Sequence, residues 1–480
     1  MERDKEEFRL GLFRQLAYSL GNFGVSFSPA VVAAWLGYFY YGQEGADGRP
    51  LVYITTAAFG TIWFLCNALN GPTDPIVGYL SDKLRSPYGR RKPFVLIGAP
   101  ILALSFFFMW TPVTSTPSTA NNALLFISLF GFWFFFTVVV GPYLSLLPEI
   151  TPINNERVRI SAFMGIFEVL GNIGGNLVPP LLASALAGGI WFLENGYQTM
   201  ALAAGILLIL FFWISVLSVK ETYEPPMETR EAGQDGSGIL AGMKKAFKEF
   251  GTTFNNPAFK PYLICVGFYR LAIATVVFIA PFITTKVLAS YETSAADISL
   301  LGFLGAVDGQ KIDWALTAGY MMMLVLVGGA LFFPLVSYLA DNLGKKLLFI
   351  IALSWFGIIL ILMAFIGYSP FLSPLMQAGL LFMLSAFPVS IALVVIRPLL
   401  ADVIDADEGI TGKRREGVYN GMEGLIMKIS AGLGPMIAGF LFAAFGNTPG
   451  NDLGIRLCGP VAGVSLLVAA YAFTRYPIEK

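Results

Sequence analysis

The sequence predicts an all-α membrane protein whose twelve transmembrane helices form two pseudo-symmetric six-helix halves. Hydrophobic residues fill 56% of the 480 positions and charged residues only 13%, whereas a soluble domain carries about 25% charged residues. About twelve apolar segments are long enough to cross a bilayer, which takes about 20 helical residues. A motif of the first half also recurs in the second. These observations indicate a lipid environment and an internally repeated helical bundle.

The predicted spans are continuously apolar. Runs such as LLFISLFGFWFFFTVVV lack the alternation of apolar and polar residues that is typical of transmembrane β-strands. The spans lie near residues 12–41, 51–81, 93–111, 122–147, 159–188, 198–219, 259–289, 314–341, 346–367, 374–402, 417–446 and 455–474.

Two motifs repeat at nearly equal spacing. PIVGYLSDKLRSPYGRRKPF at 75–94 matches PLVSYLADNLGKKLLF at 334–349, and LLPEI at 146–150 matches LLADV at 399–403. Parallel repeats of this kind describe the two halves of major facilitator transporters, so we expect the major facilitator fold. A polar, Gly-rich stretch separates the copies, which predicts an N-terminal half at 1–220, a cytoplasmic linker at 221–257 and a C-terminal half at 258–480.

The basic residues predict the orientation. Most of the 31 Lys and Arg residues lie in segments that are cytoplasmic if the N-terminus is cytoplasmic, in agreement with the positive-inside rule. The sequence therefore predicts a multi-pass protein of the plasma (inner) membrane with both termini in the cytoplasm. No coiled-coil segment is evident, and we expect a monomer in the bilayer.

Several function classes are disfavoured. The chain has no His, its three Cys residues are isolated, and its net charge is zero. It carries no P-loop, nucleophile elbow or metal-ligand cluster of the kind that marks enzymes and ATP-driven pumps. We therefore expect neither enzymatic activity, nor a resident cofactor, nor a nucleic-acid partner.

Three motifs carry a resemblance to a known family. DPIVGYLSDKLRSPYGRRKPF at 74–94, PYLSLLPEIT at 142–151 and LADVIDADEGITGKRREG at 400–417 are together similar to the glycoside-pentoside-hexuronide:cation symporters of the major facilitator superfamily. The resemblance extends over essentially the whole chain. It implies secondary active symport of a sugar or glycoside by alternating access, coupled to H⁺ or Na⁺.

Ionisable residues within the predicted spans are the first candidates for function, because each costs several kcal/mol at a helix centre. They are Asp74, Glu168, Arg270, Arg397, Glu423 and Lys428. Asp74 lies in NGPTDPIVG, where Gly71, Pro72 and Pro75 can loosen the helix. We assign cation coupling to Asp74 with Asn70 and Thr137 as neutral oxygen donors, and to Glu168 as a second acid. The resemblance implies that Lys428 links the cation and sugar sites, and Asp74 and Lys428 are predicted to pair in the empty carrier.

Departures from the family pattern weaken a sodium site. Asn70 stands where the family has a second cation-site acid, and Ser26 where it has a sugar-binding acid. A hard cation needs several oxygen ligands, whereas a proton needs a single acid, so we favour H⁺ over Na⁺ and leave Na⁺ at Asp74 as the alternative.

Substrate recognition must then use other groups. Arg270 can donate a planar fork to hydroxyls or to a carboxylate, or it can be a buried partner of Glu168 or Asp74. The other substrate candidates are Tyr269, Trp133, Tyr419, Asn420 and Ser26. A lysolipid-like or other organic cargo on the same fold is the alternative to a sugar.

Charged clusters at the predicted cytoplasmic ends indicate gates that lock helix ends together. In the first half the gate residues are Asp82, Gly89, Arg90 and Arg91, and in the second they are Asp341, Lys345, Lys346, Asp402, Arg414, Arg415 and Glu416. Positive-inside topology and a solvated loop are the alternatives for these clusters.

Overall fold

A computed structural model describes residues 10–44, 49–84, 86–151, 153–186, 193, 195–221, 251–308, 311–412 and 415–478. Residues 222–250, which make up most of the predicted linker, lie outside this part of the chain, as does Arg414.

Helices dominate the described residues. The first half contains α1 Leu12–Ser19, α2 Gly21–Tyr41, α3 Thr56–Asn70, α4 Thr73–Lys83, α5 Lys92–Phe108, α6 Thr119–Ser145, α7 Leu147–Ile150, α8 Asn154–Ala185 and α9 Gly196–Leu217. The second contains α10 Phe259–Phe282, a π-helical turn Ile283–Val287, a 3-10 turn Leu288–Ser290, α11 Ala295–Phe303, α12 Trp314–Leu343, α13 Lys345–Met363, α14 Pro374–Thr411, α15 Glu416–Phe445 and α16 Leu453–Phe473. A two-residue antiparallel ladder joins β1 Val307–Asp308 to β2 Lys311–Ile312.

The helix lengths agree with the predicted all-α membrane architecture. Within the described ranges, ten helical stretches are long and apolar enough to cross a membrane. Of the two other predicted spans, one is the shorter apolar helix α5. The other is broken into α3 and α4 between Asn70 and Thr73, which confirms the loosening expected at Gly71 and Pro72.

The chain divides into two compact units. One contains Met1–Val32, Leu69–Val113 and Ala123–Ala246, and the other contains Ala33–Ala68, Thr114–Asn122 and Phe247–Lys480. The second unit thus takes in the end of α2 and most of α3 from the predicted N-terminal half. The division into six-helix halves at 221–257 stays a prediction.

Glycines explain why α3 packs within the second unit. A Cβ atom added at Gly60 would lie 2.8 Å from the Cα atom of Met436, and one at Gly439 would lie 2.4 Å from the carbonyl oxygen of Thr56. Only glycine permits such backbone approach. Helices α3 and α15 therefore meet through their main chains.

Aromatic rings extend this contact. Phe278 of α10 packs against Phe59 at 5.9 Å between ring centroids and against Phe282 at 5.9 Å, and Phe282 lies 5.1 Å from Phe442. Beside them, Lys286 Nζ in the π-helical turn forms an ion pair with Glu44 Oε1 at 2.8 Å. We call these rings and this ion pair the aromatic end of the second unit.

In the first unit, buried polar contacts hold α1 and α2 to their neighbours. The Tyr18 hydroxyl donates to the Tyr143 carbonyl at 2.7 Å, and the Tyr143 hydroxyl donates to the Tyr18 carbonyl at 2.9 Å. Asn22 Nδ2 donates to the Met164 carbonyl at 2.9 Å. These bonds satisfy polar groups that would be costly to leave unpaired in lipid.

Candidate functional site

Asp74 lies at the helix break of the first unit. It occupies the first turn of α4, directly after the interruption at Gly71 and Pro72, and it is exposed. The Thr137 hydroxyl of α6 donates to Asp74 Oδ1 at 3.2 Å. Two predicted members of the cation site therefore lie together in the structure.

Asn70 lies one turn before Asp74 and is buried. The Thr73 hydroxyl oxygen lies 2.7 Å from the Asn70 backbone carbonyl and 2.7 Å from Asn70 Oδ1, so its single proton is shared between these two acceptors. The Asn70 side chain thus stabilises the broken backbone next to Asp74. Thr73 is a part of this arrangement that the sequence did not single out.

Glu168, the second predicted acid, is exposed on α8. Asn22 Nδ2 lies 3.5 Å from Glu168 Oε2, which is at the outer limit of a hydrogen bond. Lys428 belongs to the second unit, where it is half-buried on α15. Its predicted pairing with Asp74 stays a prediction.

The substrate candidates have different environments. Arg270 is exposed on α10, and no hydrogen bond or ion pair joins it to another described residue. Tyr269 and Ser26 are buried, at 8% and 9% exposure. Trp133 is half-buried, and its indole Nε1 has no hydrogen-bond partner among the described residues. Arg270 therefore has donors available for a solute, whereas the unpaired Trp133 N–H is buried.

Tyr419 lies in a packed environment, and its predicted contact with substrate stays a prediction. Tyr419 is fully buried, packs edge-on against Phe259 at 4.6 Å and accepts a hydrogen bond from Asn256 Nδ2 at 3.3 Å. The Arg415 guanidinium lies 5.9 Å from its ring centroid. Tyr419 thus packs beside Arg415 in the charged cluster of the second unit. The neighbouring Asn420 is exposed and donates to the Glu416 carbonyl at 2.9 Å.

The Gly-Arg-Arg loop of the first unit is tied to two acids. Arg90 and Arg91 both form ion pairs with Glu149, the latter at 3.1 Å between Nη2 and Oε1. Glu149 is the acid of LLPEI, and its exposure is 5%. The sequence assigned Asp82 as the acid of this gate, but the Asp82 side chain lies outside the described atoms. The LLPEI/LLADV repeat was the signal that could have identified Glu149.

Glu221 is a second acid that the sequence did not single out. Its carboxylate accepts backbone N–H bonds from Arg90, Arg91 and Lys92 at 2.6, 3.2 and 3.0 Å. It thereby caps the start of α5, where the helix dipole favours a negative charge. Gly89, with φ +104°, would place a Cβ atom 2.4 Å from the Glu221 carboxyl carbon.

This close approach gives a testable expectation for Gly89→Ala. The left-handed backbone costs alanine about 1–2 kcal/mol, and the clash with Glu221 adds to that cost. Gly412→Ala is the matched control, because Gly412 has φ +67° with open space around its Cβ position. We expect Gly89→Ala to lower the thermal unfolding temperature in detergent more than Gly412→Ala does. Equal shifts would mean that Glu221 is not held against the loop.

The second unit repeats the ion pair of the first. Lys345 pairs with Asp402 of LLADV, and these two residues are the counterparts in the repeat of Arg90 and Glu149. Arg415 binds Asp407 through two parallel bonds, at 2.8 Å from Nε and 2.6 Å from Nη2. Asp407 is 2% exposed and belongs to the acidic run 402–408 that faces the basic residues of this predicted gate.

The remaining gate residues are less engaged. Asp341 and Glu416 are exposed and Lys346 is half-buried. Among the described residues no ion pair includes Asp341. The acid that pairs with Lys345 is Asp402. The clusters at residues 89–92, 344–346 and 402–415 mark what we call the basic-loop end of each unit.

The sequence matches the MFS/sugar transport protein family over residues 17–480. The chain belongs to this family. It is 25% identical to an uncharacterized symporter of Synechocystis, with 93% of this chain and 89% of the relative covered. It is 26% identical to a putative sulfoquinovose importer of Escherichia coli, with 92% of this chain and 84% of the relative covered.

A solved structure agrees with the fold. A mutant form of the nucleoside transporter NupG superposes with a TM-score of 0.67 at 14% identity, covering 97% of this chain and all of that one. The fold is thus that of the major facilitator superfamily, and the resemblance to glycoside-pentoside-hexuronide symporters is confirmed. The protein is a multi-pass membrane transporter and not an enzyme.

Proposed function

We propose that the protein is a cation-coupled symporter that carries a sugar or glycoside by alternating access, with H⁺ favoured over Na⁺. The supporting observation is Asp74, an exposed carboxylate at a helix break with the Thr137 hydroxyl at 3.2 Å. A carboxylate in this position can bind and release a cation while the rest of the helix stays in place. The sugar is supported by the family description and by the relative named as a sulfoquinovose importer.

The preference for H⁺ rests on the donor set. The position one turn before Asp74 carries the neutral side chain of Asn70, whose oxygen already accepts from Thr73. Among the described residues, no group of three His, Cys, Asp or Glu side chains could hold a metal ion. A single acid suits a proton, because protonation needs one oxygen and no cage.

The same proposal assigns the orientation in the membrane and the oligomeric state. Both termini lie in the cytoplasm of a plasma (inner) membrane, so the basic-loop ends face the cytoplasm, in agreement with the positive-inside rule. The protein works as a monomer. We assign Lys428 to the link between cation binding and sugar binding, and Arg270 to hydrogen bonding of the sugar.

Uptake into proteoliposomes tests the function. A panel of radiolabelled sugars is offered under an imposed proton gradient, an imposed Na⁺ gradient, or neither. We expect concentrative uptake of at least one sugar with the proton gradient. Accumulation with Na⁺ alone would overturn the H⁺ assignment, and no gradient-driven uptake of any sugar by folded protein would overturn sugar symport.

A further inference from the structure

A second charged cluster lies within the predicted spans of the second unit. The Tyr262 hydroxyl of α10 donates to Glu423 Oε1 of α15 at 2.5 Å, and Arg397 Nη1 of α14 lies 3.3 Å from Glu423 Oε2. The Tyr262 hydroxyl also lies 3.4 Å from the carbonyl of Ile396. Three helices thus converge on one carboxylate, and the transport mechanism above does not use it.

The two partners hold the carboxylate unequally. A hydroxyl bonded to a carboxylate lies about 2.5–2.7 Å away, and a guanidinium about 2.7–2.9 Å. The Tyr262 contact is at the short end of its range, whereas the Arg397 contact at 3.3 Å exceeds its own. Tyr262 therefore fixes Glu423, and Arg397 is only loosely bound.

Another arginine of the same unit, Arg415, forms a complete bidentate ion pair and serves as a comparison. Arg415 gives Asp407 two parallel bonds, at 2.8 and 2.6 Å, and its side chain is 20% exposed. Arg397 gives Glu423 one contact, and its side chain is 72% exposed although Glu423 is 3% exposed. Among the described residues Arg397 donates no other hydrogen bond. Its planar fork is left open.

The position of Arg397 limits what this fork can face. Arg397 precedes Asp402 by five residues, or about 7.5 Å of helix at 1.5 Å per residue, so it lies inward from the basic-loop end. An arginine inside a membrane span faces a polar interior or water and not lipid tails. An exposed guanidinium at this depth is therefore accessible to a dissolved oxyanion.

We propose that Arg397 binds the anionic group of an acidic sugar, a carboxylate or a sulfonate, with Glu423 and Tyr262 holding the guanidinium in place. This inference rests on the proposed sugar transport and names the substrate class. A guanidinium fork matches the two oxygens of such a group. In the absence of substrate Glu423 supplies the counter-charge, so the arginine is not left uncompensated.

The test compares acidic sugars with the neutral sugars that lack the acidic group. Methyl glucuronides, galacturonides and their neutral methyl glycosides are titrated by calorimetry onto the purified full chain in phosphatidylcholine nanodiscs. Sulfoquinovose is included as the sulfonate probe. We expect an acidic member to bind, and Arg397→Gln to weaken that binding by about tenfold or more, since a hydrogen bond to a charged group contributes about 1.5–3 kcal/mol. Arg397→Lys should retain part of the affinity, and the exposed Arg475→Gln should leave it unchanged.

Glu423→Gln distinguishes positioning from packing. The amide keeps the shape and removes the competing charge, so acidic-sugar affinity should rise several-fold while thermal stability changes little. A loss of affinity for acidic and neutral sugars alike in Arg397→Gln would overturn the proposal, because it would show a structural role.

Two further outcomes separate this inference from sugar symport itself. Binding of neutral sugars alone would overturn the inference and leave the proposed sugar symport intact, whereas binding of no sugar would overturn both.

An anionic lipid headgroup offers the same oxyanion chemistry. If phosphatidylglycerol displaces the acidic probe from the wild-type protein but has no such effect in Arg397→Gln, the Arg397 site is supported. An Arg397 effect seen with phosphatidylglycerol but never with an acidic sugar would overturn it.

Discussion

Asp74→Asn is expected to abolish gradient-driven accumulation of substrate and to leave substrate exchange across the membrane intact. The amide keeps the size of the side chain and can still accept from Thr137, whose hydroxyl lies 3.2 Å from Asp74 Oδ1. It cannot gain or lose a charge. One charge moved across 100 mV contributes about 2.3 kcal/mol, or about 50-fold accumulation, and the variant should lose this whole factor.

Counterflow and gradient-driven uptake are measured side by side in proteoliposomes. Glu292→Gln is the matched control, because it removes an exposed acid from a loop of the second unit and should behave as wild type. Undiminished accumulation by Asp74→Asn would remove Asp74 from the coupling step. Glu168→Gln would then be the next variant, since Glu168 is an exposed acid of α8 and the second predicted coupling acid.

Glu149→Gln is expected to destabilise the basic-loop end of the first unit and to lower transport several-fold. It leaves Arg90 and Arg91 without the carboxylate that both of them bind. Breaking a fully buried pair costs about 3–5 kcal/mol. Since the side chain of Arg90 is 29% exposed and that of Arg91 13%, solvent screening reduces the expected loss to about 2 kcal/mol.

Thermal unfolding in detergent and initial uptake rates measure this effect. Asp402→Asn makes the equivalent change in the second unit, where Lys345 has the same role, and should give a smaller loss because only one base is affected. Glu292→Gln again controls for removal of a carboxylate. Wild-type stability in Glu149→Gln would show that the other contacts of the loop, the Glu221 cap among them, are sufficient to hold it.

Local sequence features predicted the helix break and its acid. Gly71, Pro72 and Asp74 act through backbone chemistry within one turn, and the structure places the break where those residues require it. Thr137 was also correctly placed beside Asp74. Thr137 belongs to a different helix, α6, so local propensity around Asp74 does not determine this contact.

Long-range pairing could not be derived in the same way. The sequence assigned Asp82 to the basic loop, whereas the pairing with Glu149 depends on how α6 and α7 approach the start of α5. The packing of Tyr419 under Arg415 could not be derived either, because an aromatic residue near a cavity and one packed under an arginine have the same local sequence. Arg397 and Glu423 were recognised as charges inside the membrane, but their unequal bonding to Tyr262 is visible only in three dimensions.

The glycine contacts between α3 and α15 leave no side chain between the two helices at their closest points. Gly60 and Gly439 bring backbone against backbone, so a larger residue at either position would push the helices apart. The other contacts described at this end are the Glu44–Lys286 ion pair and the aromatic rings around Phe282. The spacing of these helices therefore depends on a small number of identifiable contacts.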